Sequence, residues 1–418
     1  MTVGSPRLRL PPAFTWLITG LIALHACMAA TRVVASLWVL REGYDERMVG
    51  LIISLFAVAP ILLSMWAGRL ADRQGLQRPV RVATLMGLAG TGAVAMDPHL
   101  GTVALASLLT GGALSVAAVA IQREAGQLAH QGHDLKRIFS WVALGPALSN
   151  MAAPLTFGFI IDHAGMRWAF VVCVLLPLMG YVLLARVGRH LDAHARTGEV
   201  REAPVSSHQR SEAITESASS GSSSSAWDLL RSPPLRILLL LNLAMAAAWD
   251  AHTFAVPVVG HLRELSASEI GGVFAAFAAA ATAVRLFIVA WASRIEEALM
   301  LRGAMALAAG VLVVYVWLPG LVGLMAGSAL LGLALGSVQP MVLSMLHQVT
   351  PADRQGQALG LRMTVTNAAT VGMPMLYGVM SVTLTTAAPL WMMAALLLWA
   401  QRPAMGLAGR VRQGSARP

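Results

Sequence analysis

Twelve runs of about 18 or more apolar residues follow one another along this chain with little between them, and that succession permits few folds. A backbone surrounded by hydrocarbon has to satisfy its own amide groups, which leaves helices or closed barrels. The alternating apolar and polar pattern of a membrane barrel is absent, so the chain reads as an all-α membrane protein. The spans fall near residues 14–38, 47–67, 79–96, 100–121, 138–161 and 168–187, then 235–259, 269–291, 300–318, 321–346, 356–380 and 384–401. Composition excludes the soluble classes: 57% hydrophobic and 12% charged residues, with a mean hydropathy of +0.68, leave too little polar surface to coat a water-soluble globule.

After the sixth span comes the one extended polar segment, residues 188–232, with the tract Ser217-Ala218-Ser219-Ser220-Gly221-Ser222-Ser223-Ser224-Ser225. Such a composition cannot bury enough apolar surface to fold, so it reads as a flexible tether. It divides the chain into an N-terminal six-helix bundle (1–187), the tether (188–232) and a C-terminal six-helix bundle with a tail (233–418). Short matches relate the halves. Leu40-Arg41-Glu42 and Gly50 reappear as Leu262-Arg263-Glu264 and Gly272, and Ser115-Val116 as Ser337-Val338, at a constant shift of 222 residues. Pro154-Leu155-Thr156-Phe157-Gly158 resembles Pro374-Met375-Leu376-Tyr377-Gly378 at a shift of 220. A common offset of this kind indicates parallel halves related by an axis along the membrane normal.

The basic residues set the expected orientation, because cytoplasmic loops retain Lys and Arg. Of the 30 lysines and arginines, Arg41, Arg47, Arg167 and Arg263 fall in the opposite loops and Arg32, Arg285 and Arg362 within spans; the remainder lie on the side of the tether and both termini, which is therefore cytoplasmic. The net charge of +10 is spread through these loops without a contiguous basic face, so it is a topology signal and no nucleic-acid partner is expected.

Between the second and third spans stands Gly68-Arg69-Leu70-Ala71-Asp72-Arg73-Gln74-Gly75. The spacing Gly-x-x-x-Asp-Arg-x-Gly resembles the loop signature of the major facilitator superfamily, in the position where that family carries it. The resemblance implies twelve transmembrane helices in two pseudo-symmetric six-helix bundles that open alternately to the two sides of the membrane. It also implies a cytoplasmic gate of Gly68, Asp72, Arg73 and Gly75, with Asp72 at the N-terminus of the eleventh helix and Arg73 paired with an acid. Thr350-Pro351-Ala352-Asp353 supplies a helix start there, and Glu124 is a candidate partner for Arg73 or Arg78. The second half carries Arg294 and Ala290 where the repeat would place Asp72 and Gly68, so the gate is one-sided. Gly145-Pro146 in the fifth span resembles the signature of drug:proton antiporters, although Ser149-Asn150 replace its glycines and the fourth span lacks that branch's buried arginine. These two residues, with Pro154 and Pro374, are expected to shape helix packing.

Ionisable groups within spans are costly and are functional candidates by default. They are Asp250 in span seven, Arg32 in span one, Arg285 in span eight and Arg362 in span eleven, with His25 and His252. In the family that the chain resembles, spans one and seven line the central cavity, so Asp250, Arg32, Arg285, His25 and His252 are the candidate substrate and proton-coupling residues. Two readings of Asp250 stand open. It takes and releases a proton during the cycle, with burial and a neighbouring arginine opposing one another over its charge, or it forms a fixed ion pair that holds the bundle together. Arg362, a turn or two into its span, reads as a snorkelled or gate residue.

Nothing in the chain resembles a catalytic constellation, and no phosphate-cradling glycine loop is present, so neither an enzyme nor an ATP-driven pump is expected. No His, Cys and acid cluster has metal-ligand spacing, and no cofactor is expected. Cys27 and Cys173 sit in separate spans as small apolar residues. The expected function is secondary active transport of a small organic solute by alternating access, with proton-coupled efflux as the first reading. Proton-coupled uptake of an anionic metabolite, from three intramembrane arginines against one aspartate, is the second, and a membrane sensor that does not transport is the third. The expected partners are the solute, protons and the lipid bilayer, for a monomer in a bacterial inner membrane.

Overall fold

The computed structural model describes residues 12–130, 135–196, 226–291, 295–350 and 355–414. The first half contains α1 (Pro12–Arg41), α2 (Glu46–Gln74), α3 (Gln77–Met96), α4 (Leu100–His130), α5 (Leu135–Ala164) and α6 (Met166–Arg196). The second contains α7 (Pro233–Leu262), α8 (Ala267–Trp291), α9 (Glu297–Val314), α10 (Gly320–Gly336), α11 (Val338–Val349), α12 (Gln355–Thr383) and α13 (Ala388–Gly414), with 3-10 turns at Ala226–Arg231 and Tyr315–Trp317. Among the described residues there is no strand. The fold is all-α, with twelve membrane helices in two bundles; α10 and α11 together make the tenth span.

Helices outrun the spans. A helix of about 20 residues crosses the hydrocarbon layer, whereas α4 and α6 have 31 residues each and α2 has 29. The bilayer limits the apolar stretch but not the helix, which continues in polar sequence; α6 reaches Arg196, nine residues into the expected tether, and the tether's middle, 197–225, lies outside the described residues. Among the described residues nine helical stretches are long and apolar enough to cross a membrane by composition. Helices α5 and α12 pack between the halves and carry Ser149, Asn150, Thr366 and Asn367 on their length.

The tenth span, expected as one helix, is interrupted at Ser337. Pro340 has no N–H to donate to the carbonyl four residues back, that of Gly336, and its ring crowds that position. The freed Gly336 carbonyl accepts instead from Arg285 Nε at 3.3 Å.

The two halves meet mainly through α5 on α8 and α2 on α12. Both contacts lie at the end of the molecule that carries the α1–α2 and α7–α8 turns, and the two repeat one another. A methyl group at Gly50 would stand 2.2 Å from the Pro374 carbonyl oxygen, and one at Gly271 would stand 2.3 Å from that of Pro154. In return Gly158 lies over Ala267 and Ser268, and Gly378 over Glu46 and Arg47. Small residues let helix backbones touch where lipid supplies no hydrophobic drive. The packing equates Gly50 with Gly271, one residue from the Gly272 that the sequence repeat selects. Since overpacking costs roughly 1–3 kcal/mol, Gly50→Ala and Gly271→Ala are each expected to slow solute exchange in proteoliposomes about fivefold. Wild-type rates in both variants would show that this approach is not used in the cycle.

Candidate functional site

The helices α1 and α7 are the most enclosed spans, each with 72% of its apolar window buried, so polar groups on them face protein or cavity and not lipid. Between the bundles lies a cavity of about 1180 Å³ lined by Arg32 and His25 of α1, Gln122 of α4, Pro146, Asn150 and Pro154 of α5, Trp249 and His252 of α7, Phe277 and Arg285 of α8, and Gln339 and Leu343 of α11. A side cavity of about 360 Å³ in the second half shares Trp249, Arg285 and Gln339 with it and adds Asp250, Asn242, Arg362, Thr366, Asn367 and Thr370. All five of the expected coupling residues therefore line one or other cavity.

Their surroundings differ. The Arg32 guanidinium stands 5.5 Å from the centre of the Phe56 ring, a cation–π contact, and its Nε is buried without a hydrogen-bond partner. His25 is buried, with Nδ1 unpartnered. Asp250 has one carboxylate oxygen, Oδ2, buried and unpartnered, and makes no ion pair within 4.0 Å among the described residues. The fixed ion pair of the second sequence reading is thus not formed in this conformation. His252 is 1% exposed, lies 4.4 Å from the Phe277 ring in a stack, and its Nε2 is 2.9 Å from Ser328 Oγ, which is 2.7 Å from the Tyr315 hydroxyl.

For Arg362 the sequence leaves open snorkelling or a place in the gate. It does not snorkel: it lines the side cavity, with Nη1 donating to Asn242 Oδ1 at 3.4 Å. Asn242 Nδ2 donates in turn to Thr366 Oγ1 at 2.8 Å, and Thr366 Oγ1 donates to the Arg362 carbonyl at 2.9 Å. Polar side chains recurring at helical spacing, Arg362, Thr366 and Thr370 with Asn367 beside them, are the signal that marks this face of α12.

The expected cytoplasmic gate is only partly within the described residues. Gly75 ends α2 at φ +64°, a backbone region that favours glycine, and its N–H donates to the Ala71 carbonyl at 2.9 Å. Among the described residues nothing stands within 4 Å of the Cβ position of Gly68, which was expected to pack on a neighbour. Arg73 is exposed and Glu124 is buried; the side chain of Asp72 and residues 351–354 lie outside the described residues. Gly145 lies against Leu21, and Ser149 Oγ donates to the Ile22 carbonyl at 2.9 Å, so the Gly145-Pro146 stretch is where α5 packs on α1.

The opposite end is closed by a contact absent from the sequence expectations. Asp162, in the last turn of α5, accepts from the Ala267 and Ser268 N–H groups at 2.9 and 2.7 Å, where α8 begins. Ser266 and Glu269 complete a capping box, with the Ser266 N–H donating to Glu269 Oε2 and the Glu269 N–H to Ser266 Oγ. One bundle thus caps a helix of the other. Among the described residues no group of three or more His, Cys, Asp or Glu is placed to hold a metal ion.

A family model described as Major Facilitator Superfamily matches residues 17–374. No curated protein matches the chain. Similar solved structures include a mutant of a peptide transporter POT in complex with alafosfalin, with a TM-score of 0.77 and 16% identity, covering 99% of this chain and 97% of that one. Another is a POT family transporter in complex with 5-aminolevulinic acid, with a TM-score of 0.72 and 10% identity over 96% and 97% of the two chains. At these identities the likeness is one of fold, over essentially the whole length.

Proposed function

We propose, for a chain that belongs to the major facilitator superfamily, proton-coupled secondary transport of a small organic solute by alternating access. The observation that carries this reading is a charged cavity lined from both bundles and sealed at one end by interbundle contacts. A site reached from one side at a time is what alternating access requires, and Asp250, whose carboxylate has one buried oxygen without a partner, supplies the group that takes the proton. On the distribution of Lys and Arg, both termini and the tether lie in the cytoplasm and the sealed end faces outward.

Efflux in exchange for protons is the reading favoured by the resemblance of Gly145-Pro146 to drug:proton antiporters. Uptake of an anionic metabolite together with a proton is the second, and the position of Arg362 beside Arg285 favours it. Proteoliposomes under an imposed pH gradient, with a dye reporting lumenal pH, distinguish the two. A solute added outside acidifies the lumen if it enters with a proton and alkalinises it if it enters in exchange for one. Silence across a chemically diverse panel of solutes would overturn the transport reading in favour of a sensor.

A further inference from the structure

We infer that the side cavity in the C-terminal half is an anion subsite, in which Arg285 and Arg362 hold a carboxylate, sulfonate or phosphate group while the body of the solute extends past Trp249 into the main cavity. This deepens the transport reading and rests on it only for what the site is used for. Both arginines line a volume of about 360 Å³, within the range of roughly 300–1,000 Å³ usual for small-ligand sites. Neither meets a carboxylate within 4.0 Å among the described residues: Arg285 is spent on one backbone carbonyl and Arg362 on one amide oxygen. Arg362 keeps a buried Nε without a partner. With Asp250 the only carboxylate among the described lining residues of either cavity, three guanidiniums including Arg32 face one acid, and an uncompensated cation within a bilayer is costly. A bound anion removes that cost and gives the planar forks the bidentate partner they are shaped for. Asn242 acts as a positioning residue, holding Arg362 toward the cavity through its own bond to Thr366. A cationic drug would meet the opposite field.

The test uses the full-length purified protein and probes that share one ring: benzoate, benzenesulfonate and phenyl phosphate against benzamide and benzylamine, read by calorimetry. At least one anion is expected to bind ten times more tightly than either benzamide or benzylamine, and which anion wins identifies the acidic group. Arg285→Gln and Arg362→Gln are each expected to weaken that anion at least tenfold, and Arg362→Lys, which keeps the charge and guards against misfolding, to weaken it less. Binding of none of the three anions, equal or tighter binding of benzamide or benzylamine, or unaltered anion affinity in both Gln variants would overturn the inference. The same series in proteoliposomes separates the two ideas. Anion binding without any solute-driven flux leaves the subsite standing and removes transport, whereas flux of benzylamine with no anion preference leaves transport standing and removes the subsite.

Discussion

Asp250→Asn is expected to collapse pH-driven solute accumulation to a ratio of one while leaving solute exchange across the membrane intact. One proton moved with each solute down a gradient of one pH unit is worth about 1.4 kcal/mol, or roughly tenfold accumulation. Asparagine keeps the shape and polarity of the side chain but cannot change charge, so the loss is confined to coupling. The geometry supports this outcome: Asp250 lines the side cavity with Arg285 and Arg362, and its Oδ2 is buried with no partner. A proton and an anion bring opposite charge into the same small volume, so each favours the other's binding, and reciprocity makes that coupling the same in both directions. Accumulation is to be measured with and without the gradient, and exchange with labelled solute on both sides. Retained accumulation in Asp250→Asn would sink the proton role. A marked fall in thermal stability with coupling retained would reinstate the ion-pair reading.

The spans were legible because lipid imposes a length of apolar sequence, and within that constraint the helix starts were placed closely: Glu46, Gln77, Leu100 and Ala267 lie within a turn of their expected positions. What hydropathy does not encode is where helices stop in water and where they break, since α6 runs on to Arg196 and the tenth span is interrupted. Pro340 was visible in the sequence as a reason for that break, but Arg285 as the acceptor's new partner was not, because the pair is 51 residues apart. The candidate charges were legible as exceptions to apolarity. Their direction was not: depth along a span can be counted, whereas the face of Arg362 depends on Asn242 of another helix. The sequence repeat paired Gly50 with Gly272, and only the packing reveals that Gly50 and Gly271 are the residues that make room for a proline carbonyl across the interface.

The contact of Asp162 with α8 was not read from sequence either, though Ser266-x-x-Glu269 is a recognisable helix start. Its consequence for the cycle is large. Hydrogen bonds to a charged acceptor are worth about 1.5–3 kcal/mol each; Asp162 receives two from backbone N–H groups at the positive end of α8. Arg41 stands 3.9 Å away with its side chain 42% exposed and adds little. Removing the carboxylate in Asp162→Ala is therefore expected to shift the equilibrium toward the outward-open form by about a hundredfold or more. Asp162→Asn, which keeps one acceptor oxygen, should fall between. Spin labels at Met96→Cys and Trp317→Cys, both exposed and on different bundles, report the shift as a longer distance component, and the native Cys27 and Cys173 are buried. The pH dependence follows from the same contacts. Partial burial pushes the Asp162 carboxyl up, but hydrogen bonds from the Ser268 side chain and backbone, the Ala267 N–H and the Ser266 side chain outweigh it and hold the group below the usual carboxylate range. A depressed value means that closure is stabilised above the ordinary carboxylate range, about pH 4, and lost as pH falls through the lowered one. The distance distribution should accordingly be flat from about pH 5 to 8 for wild type as far as this group is concerned. An Asp162→Ala distribution that matches wild type would mean that the glycine contacts at Gly50 and Gly271 close the outer end without it.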